Sequence, residues 1–175
     1  MGSSNLKASY TITEELLGKL RPIRVIIIGA GVSGIDMLHT LKQNTTDITY
    51  VAYEKNPEIG GTWYENRYPG CASDDPAYVY QYTHSPNPNW SSVFAPARAI
   101  KTYLNDVVEK IGTRECIKCG YVVEKAAWSE ESAKWGVTVK DVATGQTSVD
   151  HGEFFIDASG IFKYGFPKPF ITESC

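Results

Sequence analysis

The tightest constraint on this chain is a turn in which three glycines, Gly29, Gly31 and Gly34, separate an apolar run from a helical pattern. The run at 24–28 is β-branched after its first residue, as expected of a strand buried on both faces. Residues 35–42 then place apolar side chains on one helical face. The first glycine allows a tight turn, the second a close backbone approach to a pyrophosphate, and the third close packing of helix on strand. The pattern predicts an α/β unit with parallel strands.

A second predicted strand, at 48–53, ends at Glu54, about twenty residues after the glycine turn, which is the expected spacing. A carboxylate there accepts hydrogen bonds from both hydroxyls of a ribose and repels a 2′-phosphate. The free N–H groups at the start of the helix suit a phosphate. Together these features predict a Rossmann-like dinucleotide site that prefers FAD or NAD to NADP.

The remainder of the chain predicts a long loop segment, one more helix and a small antiparallel β-meander beside the parallel sheet. Residues 55–90 are rich in Gly, Pro, Asn and Tyr and show little periodicity, which is typical of functional or ligand-ordered loops. Helical spacing returns at Ala97–Ile111. The predicted strands of the meander and a last buried strand lie at 121–128, 134–141, 146–150 and 154–157.

Length and composition limit the classes of function. The 175 residues predict one main domain, at 23–165, with a lead-in at 1–22 and an extended tail at 166–175. A net charge of −3 argues against nucleic acid or an anionic membrane as partner, and we expect a small-molecule substrate. No apolar run has the length of a membrane span, and the polar start lacks a signal core. We therefore expect a cytoplasmic protein.

The segment GGTWYENRYPG, from Gly60 to Gly70, makes the prediction more specific. Together with the glycine turn it resembles the class B flavoprotein monooxygenases, in particular Baeyer–Villiger monooxygenases of the fungal type. The likeness covers nearly all of residues 23–165, and the tandem of motifs is highly specific to that family.

The resemblance implies FAD as the cofactor and a role in natural-product biosynthesis. Its glycine turn would hold the pyrophosphate, Glu54 the adenosine ribose, and Asp74 and Tyr80 would lie near the flavin. The cofactor-binding residues that the resemblance implies are Gly29, Gly31, Gly34, Glu54, Gly61, Thr62, Trp63, Asp74 and Tyr80.

Departures from the family pattern argue for altered chemistry. Ser73 and Ala77 stand where the family has Cys and Ser, and Asp75 adds a charge. No second glycine fingerprint for NADPH follows before Cys175. We therefore expect a truncated FAD-binding protein that is not self-sufficient for NADPH-dependent oxygenation and whose FAD binding is weakened or lost.

Two alternatives remain open. A repurposed enzyme would run cofactor-independent isomerase, dehydratase or cyclase chemistry in the former flavin pocket, with Asp74 and His84 as acid–base residues. A non-catalytic interaction protein is the other alternative. Exposed aromatic residues at 78–94 predict a homodimer or a stable partner chain. The pair Cys116 and Cys119 lacks further ligands, so we expect core thiols and no metal site.

Overall fold

The structure is a computed structural model that describes residues 21–160 and the backbone of residues 171–172. The predicted lead-in and tail therefore lie almost wholly outside the described residues. Within the described ranges, no helix is long and apolar enough to cross a membrane.

A four-stranded parallel sheet carries the glycine turn. Its strands are β1 (Ile23–Ile28), β2 (Ile48–Glu54), β3 (Ile117–Cys119) and β7 (Phe154–Asp157), in the order β3-β2-β1-β7. Helix α1 (Val32–Asn44) connects β1 to β2, which pair in parallel register. The predicted α/β fold class is confirmed, because the β-branched run lies in the middle of this sheet.

The two edges of the parallel sheet differ from the sequence prediction. Strand β3 was not predicted, since three residues are too few for a periodic pattern, and it forms by parallel pairing with β2. Strand β7 was predicted to be buried, but Phe154 is 56% exposed. Among the described residues the strand pairs only with β1, so it forms an edge of the sheet on which Phe154 is exposed.

A second sheet contains the predicted antiparallel meander. Its strands are β4 (Tyr121–Ser129), β5 (Lys134–Asp141) and β6 (Thr147–Gly152), each antiparallel to the next. A short strand β8 (Ile171–Thr172) lies parallel to β4 at its edge. Trp128 and Trp135 face each other across β4 and β5, with ring centroids 5.7 Å apart, as in stabilising cross-strand pairs.

The two sheets are joined by a polar contact and a close backbone approach. Arg24, on β1, forms a bidentate ion pair with Asp150, on β6, at 2.9 and 2.7 Å. The Tyr53 hydroxyl, on β2, donates to the same carboxylate at 2.8 Å. Gly152 lies so near β1 that a Cβ there would be 2.9 Å from the Arg24 carbonyl oxygen. This glycine lets the sheets meet.

Helix α3 (Ala97–Ile111) packs against the long loop segment and against α1, which covers the parallel sheet. Its buried face includes Ile100, Leu104 and Val108, which share a core cluster with Ile35 of α1. Gly112 ends the helix in the left-handed conformation, at φ 64°. The short helix α2 (Thr62–Glu65) begins just after Gly60 and Gly61.

Candidate dinucleotide site

The turn between β1 and α1 needs its first and third glycines for the fold itself. Gly29 has φ +91°, a conformation that L residues rarely adopt, and a Cβ there would approach the Ala158 carbonyl oxygen to 2.8 Å. Its N–H donates to the Tyr53 carbonyl oxygen at 2.8 Å, which fixes the turn to β2. A Cβ on Gly34 would collide with the carbonyl oxygen of Gly29, so the third glycine allows α1 to start this close to β1.

Gly31 is different, because neither its backbone conformation nor a backbone collision requires a glycine. Its φ of −82° suits any residue. A Cβ would lie 3.4 Å from the Cα of Gly61, at the close end of ordinary contact. The absent side chain therefore leaves bare backbone at the start of α1, facing a second glycine loop. Bare backbone beside free helical N–H groups suits close approach by a phosphate.

The second glycine loop is fixed directly to the first. The Gly60 N–H donates to the Ala30 carbonyl oxygen at 3.0 Å, and Gly60 and Gly61 both have positive φ, at +125° and +53°. Gly61 is among the predicted cofactor-binding residues, whereas Gly60 belongs to the same motif but was not predicted to bind the cofactor. The doubled glycine was the available signal, because adjacent residues with positive φ are costly for other side chains.

Glu54 lies at the carboxyl end of β2, next to the glycine turn, and is only 3% exposed. Its Oε2 accepts the Ala30 N–H at 2.8 Å and its Oε1 accepts the Asn56 N–H at 2.9 Å. Each carboxylate oxygen can accept a further hydrogen bond. The two backbone donors thus hold the acid in place while leaving acceptor capacity for the hydroxyls of a ribose.

Trp63 and Tyr80, two predicted cofactor-binding residues, are brought together by the fold. The Trp63 indole N–H donates to the Tyr80 hydroxyl at 2.9 Å, and the rings meet edge to face with centroids 5.4 Å apart. Thr62, between the glycine loop and Trp63, is exposed. Thr62 and Trp63 directly follow the second glycine loop, which the Gly60 N–H fixes to the glycine turn.

A groove of about 200 Å³ lies beside these residues, lined in part by Val32, Tyr80, Tyr82 and Tyr103. Pockets that enclose small ligands usually measure about 300–1,000 Å³. The groove therefore has room for part of a dinucleotide, and the glycine turn lies beside it because Val32 is the first residue of α1.

Asp74 and Tyr80 were expected to approach the same flavin, and Asp74 was also a candidate acid–base residue. Asp74 is exposed, whereas the adjacent Ser73 is buried and donates its backbone N–H to the Ala95 carbonyl oxygen at 2.9 Å. Ala77 is also buried. Two of the positions that depart from the family pattern therefore lie inside the protein, while the added charge at Asp75 is exposed.

His84 contacts helix α1 rather than the acidic pair at 74–75. Its Nε2 lies 3.1 Å from Oδ1 of Asp36, and its ring stacks on His39 with centroids 3.6 Å apart. His39 is half-buried, with the His84 ring stacked against it. His84 and Asp36 are 48 residues apart in the sequence, so their contact depends on how the loop folds back on α1. No periodicity in the sequence indicates such a contact.

Comparisons with known proteins agree with this geometry. A family model described as an NAD(P)-binding Rossmann-like domain matches residues 27–97. FAD-binding monooxygenase stcW of Emericella nidulans is 38% identical over 144 residues, which are 81% of this chain and 24% of that protein. A Baeyer–Villiger monooxygenase of Streptomyces coelicolor is 34% identical over 129 residues, 73% of this chain and 24% of that protein.

The solved structure of an oxidized steroid monooxygenase bound to NADP superposes with a TM-score of 0.70 at 30% identity. The match covers 79% of this chain and 26% of that one. The chain thus spans about a quarter of the length of the relatives that it matches. The motifs, the sheet order and these matches agree: over most of its own length the chain is similar to a Rossmann-like portion of FAD-binding and Baeyer–Villiger monooxygenases.

Proposed function

We propose that this chain binds FAD and supplies the cofactor-binding portion of a flavin monooxygenase of the Baeyer–Villiger type. The observation that carries the proposal is the bare backbone at Gly31 and Gly61, placed beside the buried carboxylate of Glu54. This arrangement suits the pyrophosphate and the adenosine ribose of a dinucleotide. The relatives described as FAD-binding monooxygenases support FAD over NAD as the ligand.

The residues present fit FAD at its adenosine and pyrophosphate end. The glycine turn would contact the pyrophosphate, Glu54 the ribose, and Gly61, Thr62 and Trp63 the part that leads to the flavin. Tyr80, which accepts the indole N–H of Trp63, would fix that side chain beside the cofactor. When bound, FAD supplies the redox chemistry of such an enzyme, and these residues bind and orient it.

We further propose that the 175-residue chain assayed alone does not complete NADPH-dependent oxygenation. Residues 21–160 contain one glycine turn between a parallel strand and a helix, and this turn is assigned to FAD. A hydride donor needs a second site. A place in natural-product biosynthesis is part of the same proposal and rests on the likeness to fungal relatives such as the E. nidulans protein.

Cofactor-free acid–base chemistry by Asp74 and His84 has less support. His84 is engaged with Asp36 and His39, and Asp74 is exposed on another part of the loop segment. A general base and its acid partner must both reach one substrate, which favours residues that share a pocket. Neither residue lines the groove beside Trp63 and Tyr80.

Titration of the purified chain with FAD, followed by quenching of flavin fluorescence, tests the proposal. Gly31→Ala keeps an allowed backbone conformation but covers the bare backbone with a methyl group, so we expect FAD affinity to fall by roughly tenfold or more, the value of about one charge-assisted hydrogen bond. Circular dichroism should show an unchanged fold.

Gly136→Ala is the matched control, since a Cβ at this position on β5 meets only ordinary contacts, the nearest at 3.6 Å. This variant should bind FAD like the unaltered chain. A folded chain that leaves flavin fluorescence unchanged at every FAD concentration would contradict the proposal. NADPH oxidation by the FAD-loaded chain alone would contradict the second part.

A further inference from the structure

Two of the chain's three histidines meet an aspartate on the surface of helix α1. Asp36 and His39 are one helical turn apart on α1, where side chains at this spacing are neighbours. His84 comes from the loop at 78–90 and approaches both, with its Nε2 3.1 Å from Asp36 Oδ1. One ligand atom from each of the three residues lies within 4.8 Å of the others.

We propose that Asp36, His39 and His84 bind a divalent transition-metal ion of the zinc class. Two imidazoles and one carboxylate form a donor set that zinc uses with a water as fourth ligand. Harder ions such as magnesium prefer oxygen ligands, so the two ring nitrogens favour zinc, cobalt or nickel. The site lies outside the dinucleotide site, and the proposal does not depend on FAD.

The three ligand atoms lie farther apart in this structure than they would around a bound ion, so the site would have to close on the ion. Zinc–nitrogen bonds of about 2.0–2.1 Å place tetrahedral ligand atoms roughly 3.4 Å apart. The observed limit of 4.8 Å must therefore shorten by more than an ångström. The imidazole planes of His39 and His84 are nearly parallel, at 8°, so one ring must turn for both lone pairs to converge.

The structure lets the His39 ring turn while it holds His84 in place. Tyr82 stacks on His84 with centroids 5.0 Å apart, and its hydroxyl donates to the Val32 carbonyl oxygen at 2.6 Å. These contacts hold the loop on α1. His39 is half-buried on the helix surface, and Asp36 is 53% exposed, which leaves a path for an ion from solution.

His84 supplies a second, independent observation. Its Nδ1 is buried and has no hydrogen-bond partner among the described residues. Buried polar atoms in folded proteins nearly always have a partner, and an unpaired one requires explanation. A metal ion bound at Nδ1 would therefore give this atom a partner and break no hydrogen bond there.

Near the site lie the carboxylate of Asp36 and, from α3, the ammonium group of Lys110. Asp36 contributes the negative charge. From α3, Lys110 reaches the loop at the Ser85 hydroxyl, at 3.3 Å, and Tyr103 donates to the Ser85 carbonyl oxygen. A bound ion would join the loop at 78–90 to the helix that begins at the glycine turn.

The test uses the whole chain, stripped with a chelator, dialysed, and titrated with Zn²⁺ in a calorimeter without FAD. We expect a single saturable site and a rise in the unfolding temperature with Zn²⁺, because an ion that binds only the folded state stabilises it by mass action. His39→Ala and Asp36→Asn should lose both effects. His39 is half-buried and Asp36 is exposed, so both variants should fold even where His84→Ala does not.

His151→Ala and Asp106→Asn are the matched controls, since both residues are exposed and lie elsewhere, and they should bind Zn²⁺ like the unaltered chain. Gly31→Ala should also keep Zn²⁺ binding while its affinity for FAD falls. Co²⁺ in place of Zn²⁺ should give an absorption spectrum without thiolate charge-transfer bands, which separates this site from Cys71, Cys116 and Cys119. No saturable binding, unchanged binding by His39→Ala, or thiolate bands would each overturn the proposal.

Discussion

At the scale of single residues, the three glycines of the turn serve three different physical needs. Gly29 supplies a backbone conformation, Gly34 supplies space between α1 and β1, and Gly31 leaves backbone bare for a ligand. One motif therefore contains two positions that the fold requires and one that binding requires. Substitutions at the three positions should separate these needs.

Gly34→Ala should destabilise the protein severely. Its Cβ would meet the Gly29 carbonyl oxygen, a backbone atom that cannot move without opening the turn. Overpacking of this kind costs about 3 kcal/mol or more of the free energy of unfolding. Urea denaturation followed by circular dichroism measures the loss. Gly136→Ala is the control, and we expect it to change the free energy of unfolding very little. Gly34→Ala with unchanged stability would show that α1 can shift away from β1.

At the scale of elements, Asp150 makes the polar contacts between the two sheets, beside the apolar cluster that they share. Burial raises the pKa of this carboxyl, but hydrogen bonds from Arg24 and Tyr53 outweigh burial and hold the pKa below its ordinary value. A carboxyl whose pKa is lowered by folding stabilises the protein above its unfolded pKa, about 3.9. That stabilisation is lost as the pH falls through the folded pKa.

Asp150→Asn should therefore lower the free energy of unfolding by about 2 kcal/mol at neutral pH, the value of hydrogen bonds to a charged group. The difference between the variant and the unaltered chain should narrow below about pH 4. Glu124→Gln is the control, because its pair with Lys140 is exposed and 3.8 Å long, and it should change stability by less than about 0.5 kcal/mol. A pH-independent difference would contradict the assignment to Asp150 ionisation.

At the scale of the whole molecule, one surface is unusually apolar. Tyr78 and Val79 are 66% and 65% exposed, and Val93 and Phe94 are more than half exposed. The Ala77 N–H donates to the Val93 carbonyl oxygen at 2.6 Å, so the two segments are adjacent. Exposed apolar groups that lie together mark surfaces for association. Tyr82, within the same stretch, is buried and belongs to the core instead.

We predict that the 175-residue chain self-associates through this surface, as a dimer at high concentration. Sedimentation velocity over a range of concentrations should show the shift, and Val79→Ser with Phe94→Ser should move the midpoint to higher concentration, because both side chains lose apolar area at the contact. Val142→Ser, which alters an exposed apolar residue on the meander, is the control. A chain that sediments as a monomer at all concentrations would contradict the prediction.

The sequence by itself determined the parallel unit, its glycine turn, the acid at Glu54 and the meander. These follow from local properties: a β-branched run favours a buried strand, and spacing of apolar residues favours a helix. Strand bounds such as Lys134–Asp141 and Phe154–Asp157 were accordingly predicted to the residue.

Only the tertiary structure decided the contacts that join distant parts of the chain. Strand β3 exists because β2 offers it an edge, and His84 lies beside Asp36 and His39 because Tyr82 and Tyr103 hold its loop against α1 and α3. Tertiary structure likewise leaves Asp74 and Phe154 exposed. Backbone preference and periodicity act over a few residues, whereas these positions depend on free energies of packing between segments that the sequence leaves far apart.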